Sequence, residues 1–126
     1  MSTSTDTWDG LTEKVIGAAY EVSNQLGAGF LERVYRNALH HELTTRGLES
    51  EMEKALKVEY KGVVVGDYVA DLVVNQQLVV ELKCTEAIAR EHLAQCLNYL
   101  KARGMSLGLI LNFQKPRVEV KRVIHS

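Results

Sequence analysis

The spacing of apolar residues predicts three helices. Apolar side chains recur every three or four positions, the period of an amphipathic helix, over residues 10–26, 31–46 and 86–103. The first two predicted helices are separated by a short break at Gly27, Ala28 and Gly29. Gly47 and Gly104 stand where helices commonly end, because glycine adopts the left-handed conformation without strain.

Strand patterns occupy most of the remaining chain. Strands are predicted around 56–60, 63–74, 78–83, 107–113 and 118–124, with turns at 61–62 and 75–77. Gly66 is expected to mark a bulge, and Leu56, Val58 and Tyr60 alternate with polar residues as in a half-buried strand. The predicted order is α-α-β-β-β-α-β-β, an α/β fold in which helices flank a mixed sheet. Residues 10–126 should form one domain, preceded by a flexible N-terminus, residues 1–9.

Composition indicates an ordinary globular protein. The chain has 126 residues, of which 46% are hydrophobic and 25% charged, which suits one domain rather than two. No apolar run approaches bilayer length, and the polar N-terminus does not resemble a secretory signal. Cys84 and Cys96 lack zinc-site spacing. A cytoplasmic protein with reduced thiols and no membrane contact is therefore expected.

Charge is distributed unevenly along the chain. The net charge is −1, yet the last 26 residues carry six basic side chains and one acidic side chain, Glu119. A basic tail could follow a phosphate backbone. It could equally be a solvated edge strand that lysines protect from aggregation. The sequence leaves both interpretations open.

The hairpin formed by residues 63–83 carries the candidate chemistry. If its loop spans residues 75–77, Val74 pairs with Leu78, and Asp71 lies opposite Glu81 with Cβ atoms about 4.5–5.5 Å apart. Two carboxylates at that separation can share a divalent cation, whereas a two-residue loop would send them to opposite faces. Lys83 supplies an amine beside them. The alternative is an internal ion pair between Lys83 and either carboxylate.

Further polar pairs lie on the predicted helices. Glu32 and Tyr35 share one helix face, and Gln95 and Tyr99 share another. Each pair also has a structural explanation. Glu32 could bridge Arg36 or cap its helix, and Tyr99 could be a core residue.

These residues resemble the motifs of a known superfamily. Residues 29–35 match the GxxExxY signature, Asp71 with residues 81–83 matches a D…ExK core, and residues 95–99 match a QxxxY motif. The chain thus resembles the GxxExxY family, which is grouped with the PD-(D/E)xK nuclease superfamily in its RecB-like branch. The resemblance covers about residues 11–124 and implies a restriction-endonuclease-like fold. Ala70 departs from it, because a proline usually precedes the core aspartate.

The resemblance implies a role for each of these residues. Mg²⁺ or Mn²⁺ would be bound by Asp71, Glu81 and the main-chain carbonyl of Leu82, with Glu32 as a direct or water-mediated ligand. Lys83 would position the nucleophilic water or neutralise charge on the phosphate. Gln95 and Tyr99 would hold substrate phosphates or brace the site. Tyr35 is grouped with them as a substrate-side residue, but it is expected to pack behind Glu32 rather than to touch substrate.

The leading functional hypothesis is therefore a metal-dependent deoxyribonuclease, with RNA as an alternative substrate. The competing hypotheses are a nucleic-acid-binding or regulatory module without catalysis, and a structural protein in which the charges form an internal network. A homodimer is also considered, because one small domain offers little surface for gripping a duplex and the apolar C-terminal strand could pair with a second copy.

Overall fold

The computed structural model describes the backbone of residues 8–126 and the side chains from Gly10 onward. In this range the elements follow the predicted order: α1 Trp8–Leu26, α2 Glu32–Thr45, β1 Ser50–Tyr60, β2 Val63–Val74, β3 Leu78–Lys83, α3 Arg90–Arg103, β4 Leu107–Asn112 and β5 Glu119–Ile124. The expected flexible segment 1–9 lies outside the described residues, except that Trp8 and Asp9 begin α1. None of the described helices is both long and apolar enough to cross a bilayer.

The five strands form one mixed sheet in the order β1-β2-β3-β4-β5. Neighbouring strands are antiparallel except β3 and β4, which are parallel and joined through α3. The basic C-terminal segment includes β5, which is an edge strand of the sheet. An edge strand is what the second interpretation of this basic segment predicted. Arg122 of that strand forms an ion pair with Glu13 of α1 at 2.8 Å.

Helices cover both faces of the sheet. One apolar cluster joins α1 and α2 to the face that carries Leu72, Val80 and Leu109. The other joins α3 to the face that carries Val73, Val79 and Ile110. Strands β3 and β4 are buried on both sides, which explains their nearly continuous apolar sequences.

The outer part of the β1–β2 hairpin differs from prediction. Leu56 is buried, but Val58 and Tyr60 are 37% and 62% exposed, so the predicted half-buried pattern is wrong there. The reason is that β3 pairs with β2 only between Leu72 and Val74, so the hairpin extends beyond the strands that carry the core. The predicted bulge near Gly66 is confirmed, because the β1–β2 register shifts beside it.

Helix α3 begins at Arg90, later than the predicted Glu86. The preceding turn has its own hydrogen bonds, including Thr85 Oγ1 to the carbonyl of Ala87 at 2.8 Å. At the start of the helix, the amide of Ala89 donates to Nδ1 of His92 at 3.0 Å. These side-chain bonds compete with helical ones and delay the helix.

Candidate active site

The β2–β3 hairpin has the register that the sequence predicted, but its ladder ends early. Val74 pairs with Leu78, and pairing continues to Leu72 with Val80. Asp71 follows immediately and has no ladder partner on β3. Instead its carboxylate accepts a hydrogen bond from the amide of Leu82 at 2.8 Å. The Asp71 side chain therefore replaces a backbone bond where the two strands separate.

Strand β1 is interrupted at the same level. Glu53 adopts a left-handed conformation, with φ of +53°, and it is missing from the ladder between the pairs at Met52 and Lys54. Both Ala70 and Val73 of β2 pack on the α3 side, although strict alternation would separate them. Strict alternation, which would place Val69, Asp71 and Val73 of β2 on one face, therefore does not hold in this segment.

Backbone geometry turns the Leu82 carbonyl toward this opening. The carbonyl of Lys83 accepts from the amide of Phe113, on the β4 side, at 2.9 Å. Because successive residues of a strand direct their backbone groups to opposite neighbours, the amide and carbonyl of Leu82 face β2. The amide is used by Asp71, which agrees with that orientation. Leu82 thus presents an oxygen on the side of the two carboxylates.

Glu81 is a buried carboxyl group with incomplete hydrogen bonding. The residue is 7% exposed, and its Oε2 is buried without a hydrogen-bond partner in the part of the chain that the structure describes. Burial, followed by repulsion from Asp71, raises its pKa to about 8. Lys83, the Asp71 amide and the Tyr68 hydroxyl offset this effect only in part. Asp71 is therefore near enough to Glu81 to raise the pKa of that carboxyl group.

Asp71 shares this excess of negative charge. Its pKa is raised mainly by burial and further by Glu32, whereas the Leu82 amide, Lys83 and Arg36 lower it. Within residues 10–126, Lys83 forms no ion pair with either carboxylate. The predicted alternative of an internal Lys83 salt bridge is thus not found.

Helix α2 brings Glu32 toward the end of β3. Glu32 is exposed at the first turn of the helix, and its Oε2 accepts from the amide of Cys84 at 3.2 Å. The Glu32–Arg36 bridge, one of the two structural alternatives for Glu32, is absent among the described residues, because Arg36 pairs with Glu53 of β1. Glu32 is therefore beside the site, but its carboxylate holds a backbone amide.

The predicted ligand set is only partly assembled. Residues 10–126 contain no group of three or more His, Cys, Asp or Glu side chains placed to hold a metal ion. Three oxygen-bearing groups nevertheless suit a hard divalent cation: Asp71, Glu81 and the Leu82 carbonyl. The unpartnered Glu81 oxygen and the raised pKa values of both acids fit such a cation, because it would supply the missing positive charge.

Gln95 and Tyr99 of α3 lie beside a groove between that helix and the outer hairpin. Gln95 is exposed. Tyr99 is only 3% exposed, and its hydroxyl is buried without a hydrogen-bond partner from residues 10–126. Burial, with Glu81 and Cys96 nearby, raises the pKa of Tyr99 to about 12 despite the opposing charge of Arg103. The two motif residues therefore differ, since one faces solvent and the other faces the site.

Tyr68 is a site residue that the sequence analysis missed. Its ring lies 4.4 Å from that of Tyr99, centroid to centroid. Burial, followed by repulsion from Glu81, raises its pKa. The only available signal was its position three residues before Asp71. Strict alternation would have placed the two on opposite faces, so the strand irregularity concealed it.

Tyr35 is a structural residue rather than a surface one. It is fully buried, its ring stacks on Phe113 at 4.6 Å, and its hydroxyl donates to the carbonyl of Gly27 at 2.5 Å. The same hydroxyl accepts from the amide of Phe30 at 3.2 Å. Tyr35 therefore stabilises the loop between α1 and α2 through two hydrogen bonds. This loop leads directly into Glu32 at the start of α2. The implied substrate contact by Tyr35 does not fit this placement, whereas packing behind Glu32 does.

Solved structures share this architecture. The crystal structure of SSO0001 matches with a TM-score of 0.58 at 16% identity, over 91% of this chain and 78% of that protein. An alkaline exonuclease (LHK-Exo) from Laribacter hongkongensis matches with a TM-score of 0.56 at 11% identity, over 97% of this chain and 72% of that one. At such identities the likeness shows the fold alone. No curated protein sequence matches the chain.

The family comparison is more specific. Residues 9–123 match the family model described as the PD-(D/E)XK nuclease superfamily. This range includes every element from α1 to most of β5, and the observed sheet with flanking helices is the predicted restriction-endonuclease-like fold. The chain therefore belongs to the PD-(D/E)XK nuclease superfamily.

Proposed function

We propose that this protein is a divalent-metal-dependent nuclease that hydrolyses DNA phosphodiester bonds through Asp71, Glu81 and Lys83. The observation that carries the proposal is the buried Glu81 carboxyl group, one oxygen of which has no partner among the described residues, beside a second acid and a lysine that forms no ion pair within the same range. Membership of a nuclease superfamily supports the same conclusion. A buried acid in this state is costly to the fold unless a ligand completes it.

The proposed ligands of Mg²⁺ or Mn²⁺ are Asp71, Glu81 and the carbonyl of Leu82. When bound, such an ion supplies Lewis acidity that polarises a phosphate and lowers the pKa of water. Asp71 accepts a hydrogen bond from the Leu82 amide, so this backbone donor is satisfied where the β2–β3 ladder has ended. Glu32 holds the end of β3 through the Cys84 amide, and in this proposal it acts on the ion through water.

Lys83 is proposed to stabilise charge on the scissile phosphate. It follows Glu81 by two positions on β3, so both side chains leave the same face of the strand. It is half-buried and free of ion pairs within the described range. An ammonium group in this state can neutralise a developing negative charge or orient a water molecule.

The remaining motif residues support the site in this proposal. Gln95, in the QxxxY motif, faces solvent at the groove and would contact substrate. Tyr99 braces Tyr68 and Glu81 from α3. Tyr35, in the GxxExxY motif, fixes the loop that presents Glu32. Activity on RNA, a cytoplasmic location and a homodimer are further predictions of the sequence.

The test is cleavage of labelled single- and double-stranded DNA with Mg²⁺ or Mn²⁺. Lys83→Met should lower the turnover rate about 100- to 1,000-fold, the usual effect of removing one group that stabilises transition-state charge. Lys14→Met is the matched control, because Lys14 is an exposed lysine of α1. Absence of cleavage by the wild-type protein, or equal cleavage by Lys83→Met, would refute the proposal.

A nucleic-acid-binding module without catalysis is the second candidate. It is favoured by the use of two carboxylates, Asp71 and Glu32, to hold backbone amides. In that case Asp71→Asn should leave DNA affinity and its salt dependence unchanged, since no metal bridges the acid to phosphate. A nuclease instead predicts that Asp71→Asn abolishes the gain in DNA affinity produced by Mg²⁺.

A further inference from the structure

We infer that the groove between α3 and the outer β1–β2 hairpin receives one unpaired nucleobase, so that the substrate is single-stranded DNA. This inference rests on the proposed function and specifies its substrate class. It is based on the shape and chemistry of the groove and on the position of Tyr68, which lines the groove and interacts with Glu81.

The groove has a largely apolar floor. Its volume is about 450 Å³, and its walls include Leu56, Val58, Tyr68 and Ala94. This volume lies in the range of sites that hold one small organic ligand. Apolar side chains and an aromatic ring provide the contacts on which nucleobases stack without regard to sequence.

The rim carries groups suited to the polar parts of a nucleotide. Gln95 and Asn98 line the groove from α3, and each amide can both donate to and accept from a base edge. Lys57 and Arg103 line it from either side, where cations can contact phosphate oxygens. Glu91 is the one acidic residue among those that line the groove. The balance of charge therefore favours an anionic ligand.

The groove adjoins the candidate active site, although its lining does not include Asp71, Glu81 or Lys83. Tyr68 and Tyr99 both line it, and their rings are in contact. Tyr68 also interacts with Glu81. Tyr99 is 3% exposed, and its buried hydroxyl has no hydrogen-bond partner among the described residues, an exception that needs an explanation. A base in the groove would contact Tyr68, which lies beside Glu81.

A paired base does not suit this site. In a duplex each base is stacked and bound to its complement, so entry into a groove of this size requires extrusion or a single strand. Unstacking costs least when no complement is present. The groove therefore selects unpaired DNA, and a duplex should bind only through its backbone.

The experiment measures binding rather than cleavage. Fluorescence anisotropy with Ca²⁺ would compare three labelled probes: a single-stranded DNA of mixed sequence, the same strand with abasic sites throughout, and its duplex. Ala102→Phe fills the groove, because Ala102 is an exposed α3 residue that lines it. Gln25→Phe is the matched control, since it adds the same ring at an exposed position of α1 on the other face of the sheet.

We expect Ala102→Phe to weaken binding of the single strand about 10-fold, because the new ring blocks base stacking in the groove. The abasic strand should bind the wild-type protein about 10-fold more weakly than the normal strand, because it has no bases to stack. Duplex affinity should not change, and Gln25→Phe should behave as wild type. Ala94→Phe is a second filling variant in case one of them fails to fold, as judged by its melting temperature.

The inference is overturned if Ala102→Phe and Gln25→Phe bind the single strand equally, if abasic and normal strands bind alike, or if the wild-type protein binds no single strand. Its failure is distinguishable from failure of the proposed function. A protein that binds the single strand through the groove but cleaves nothing refutes only the nuclease. A protein that cleaves DNA while Ala102→Phe changes neither binding nor preference refutes only the groove.

Discussion

Replacing Glu81 by glutamine should stabilise the metal-free protein at alkaline pH. The wild-type carboxyl group has a pKa of about 8 in the folded state against an ordinary value of 4.5. Between these values the folded protein binds more protons than the unfolded chain, so stability falls as the pH rises. Glutamine has a similar shape but no proton to lose, and it also relieves the repulsion on Asp71.

The structure sets the size of the effect. A pKa rise from 4.5 to about 8 corresponds to roughly 5 kcal/mol of lost stability once the pH is far above 8. Between pH 5.5 and pH 8.5 the loss is roughly 3 kcal/mol. A small domain is usually stable by only about 5–15 kcal/mol. Glu81 should therefore dominate the pH dependence of the metal-free protein.

Urea unfolding in EDTA at pH 5.5 and pH 8.5 measures this difference directly. The free energy of unfolding should fall by roughly 3 kcal/mol more for the wild type than for Glu81→Gln. Glu59→Gln is the matched control, because Glu59 is exposed on β1, and it should follow the wild type. Parallel pH profiles for wild type and Glu81→Gln would refute the reasoning from burial.

Smaller changes test other parts of the structure by urea unfolding. Tyr35→Phe should cost about 1–2 kcal/mol, because it removes two hydrogen bonds to the α1–α2 loop; an unchanged stability would contradict its structural role. Tyr99→Phe should be neutral or stabilise by about 1 kcal/mol, since its hydroxyl is buried without a partner; a loss would reveal a hidden partner. Gly108→Ala should cost about 1–3 kcal/mol, because the new Cβ would lie 2.7 Å from Sγ of Cys96. Adding Cys96→Ala should recover part of that loss, and strictly additive costs would exclude the clash.

Local pattern was sufficient to predict most of the fold. The loop at residues 75–77 fixed the hairpin register that pairs Val74 with Leu78, because turn length determines pairing. The exposed outer hairpin was not predictable in the same way. Val58 and Tyr60 have the alternation of a half-buried strand, but whether anything covers them depends on where β3 stops pairing, which is a property of the tertiary structure.

The sequence named candidate site residues but did not predict how they are arranged. Asp71, Glu81 and Lys83 were named as candidates, and the structure places Asp71 near enough to Glu81 to raise its pKa. The sequence did not predict that Asp71 would hold the Leu82 amide, or that Glu53 would adopt a left-handed conformation across from it. Both departures break regular strand geometry. They could not be predicted from periodicity, because a periodic pattern predicts only regular helices and strands.

These departures themselves bear on function. A structural role for the charges predicts that Lys83 pairs with an acid, because a buried carboxylate without a partner destabilises a fold. Instead the strands separate at Asp71, Glu81 keeps an unpartnered oxygen, and Lys83 has no ion pair within the described chain. Sequences that break local rules usually do so at functional sites. In the proposed function, the stability lost at Glu81 is the cost of a site that a cation and a phosphate would complete.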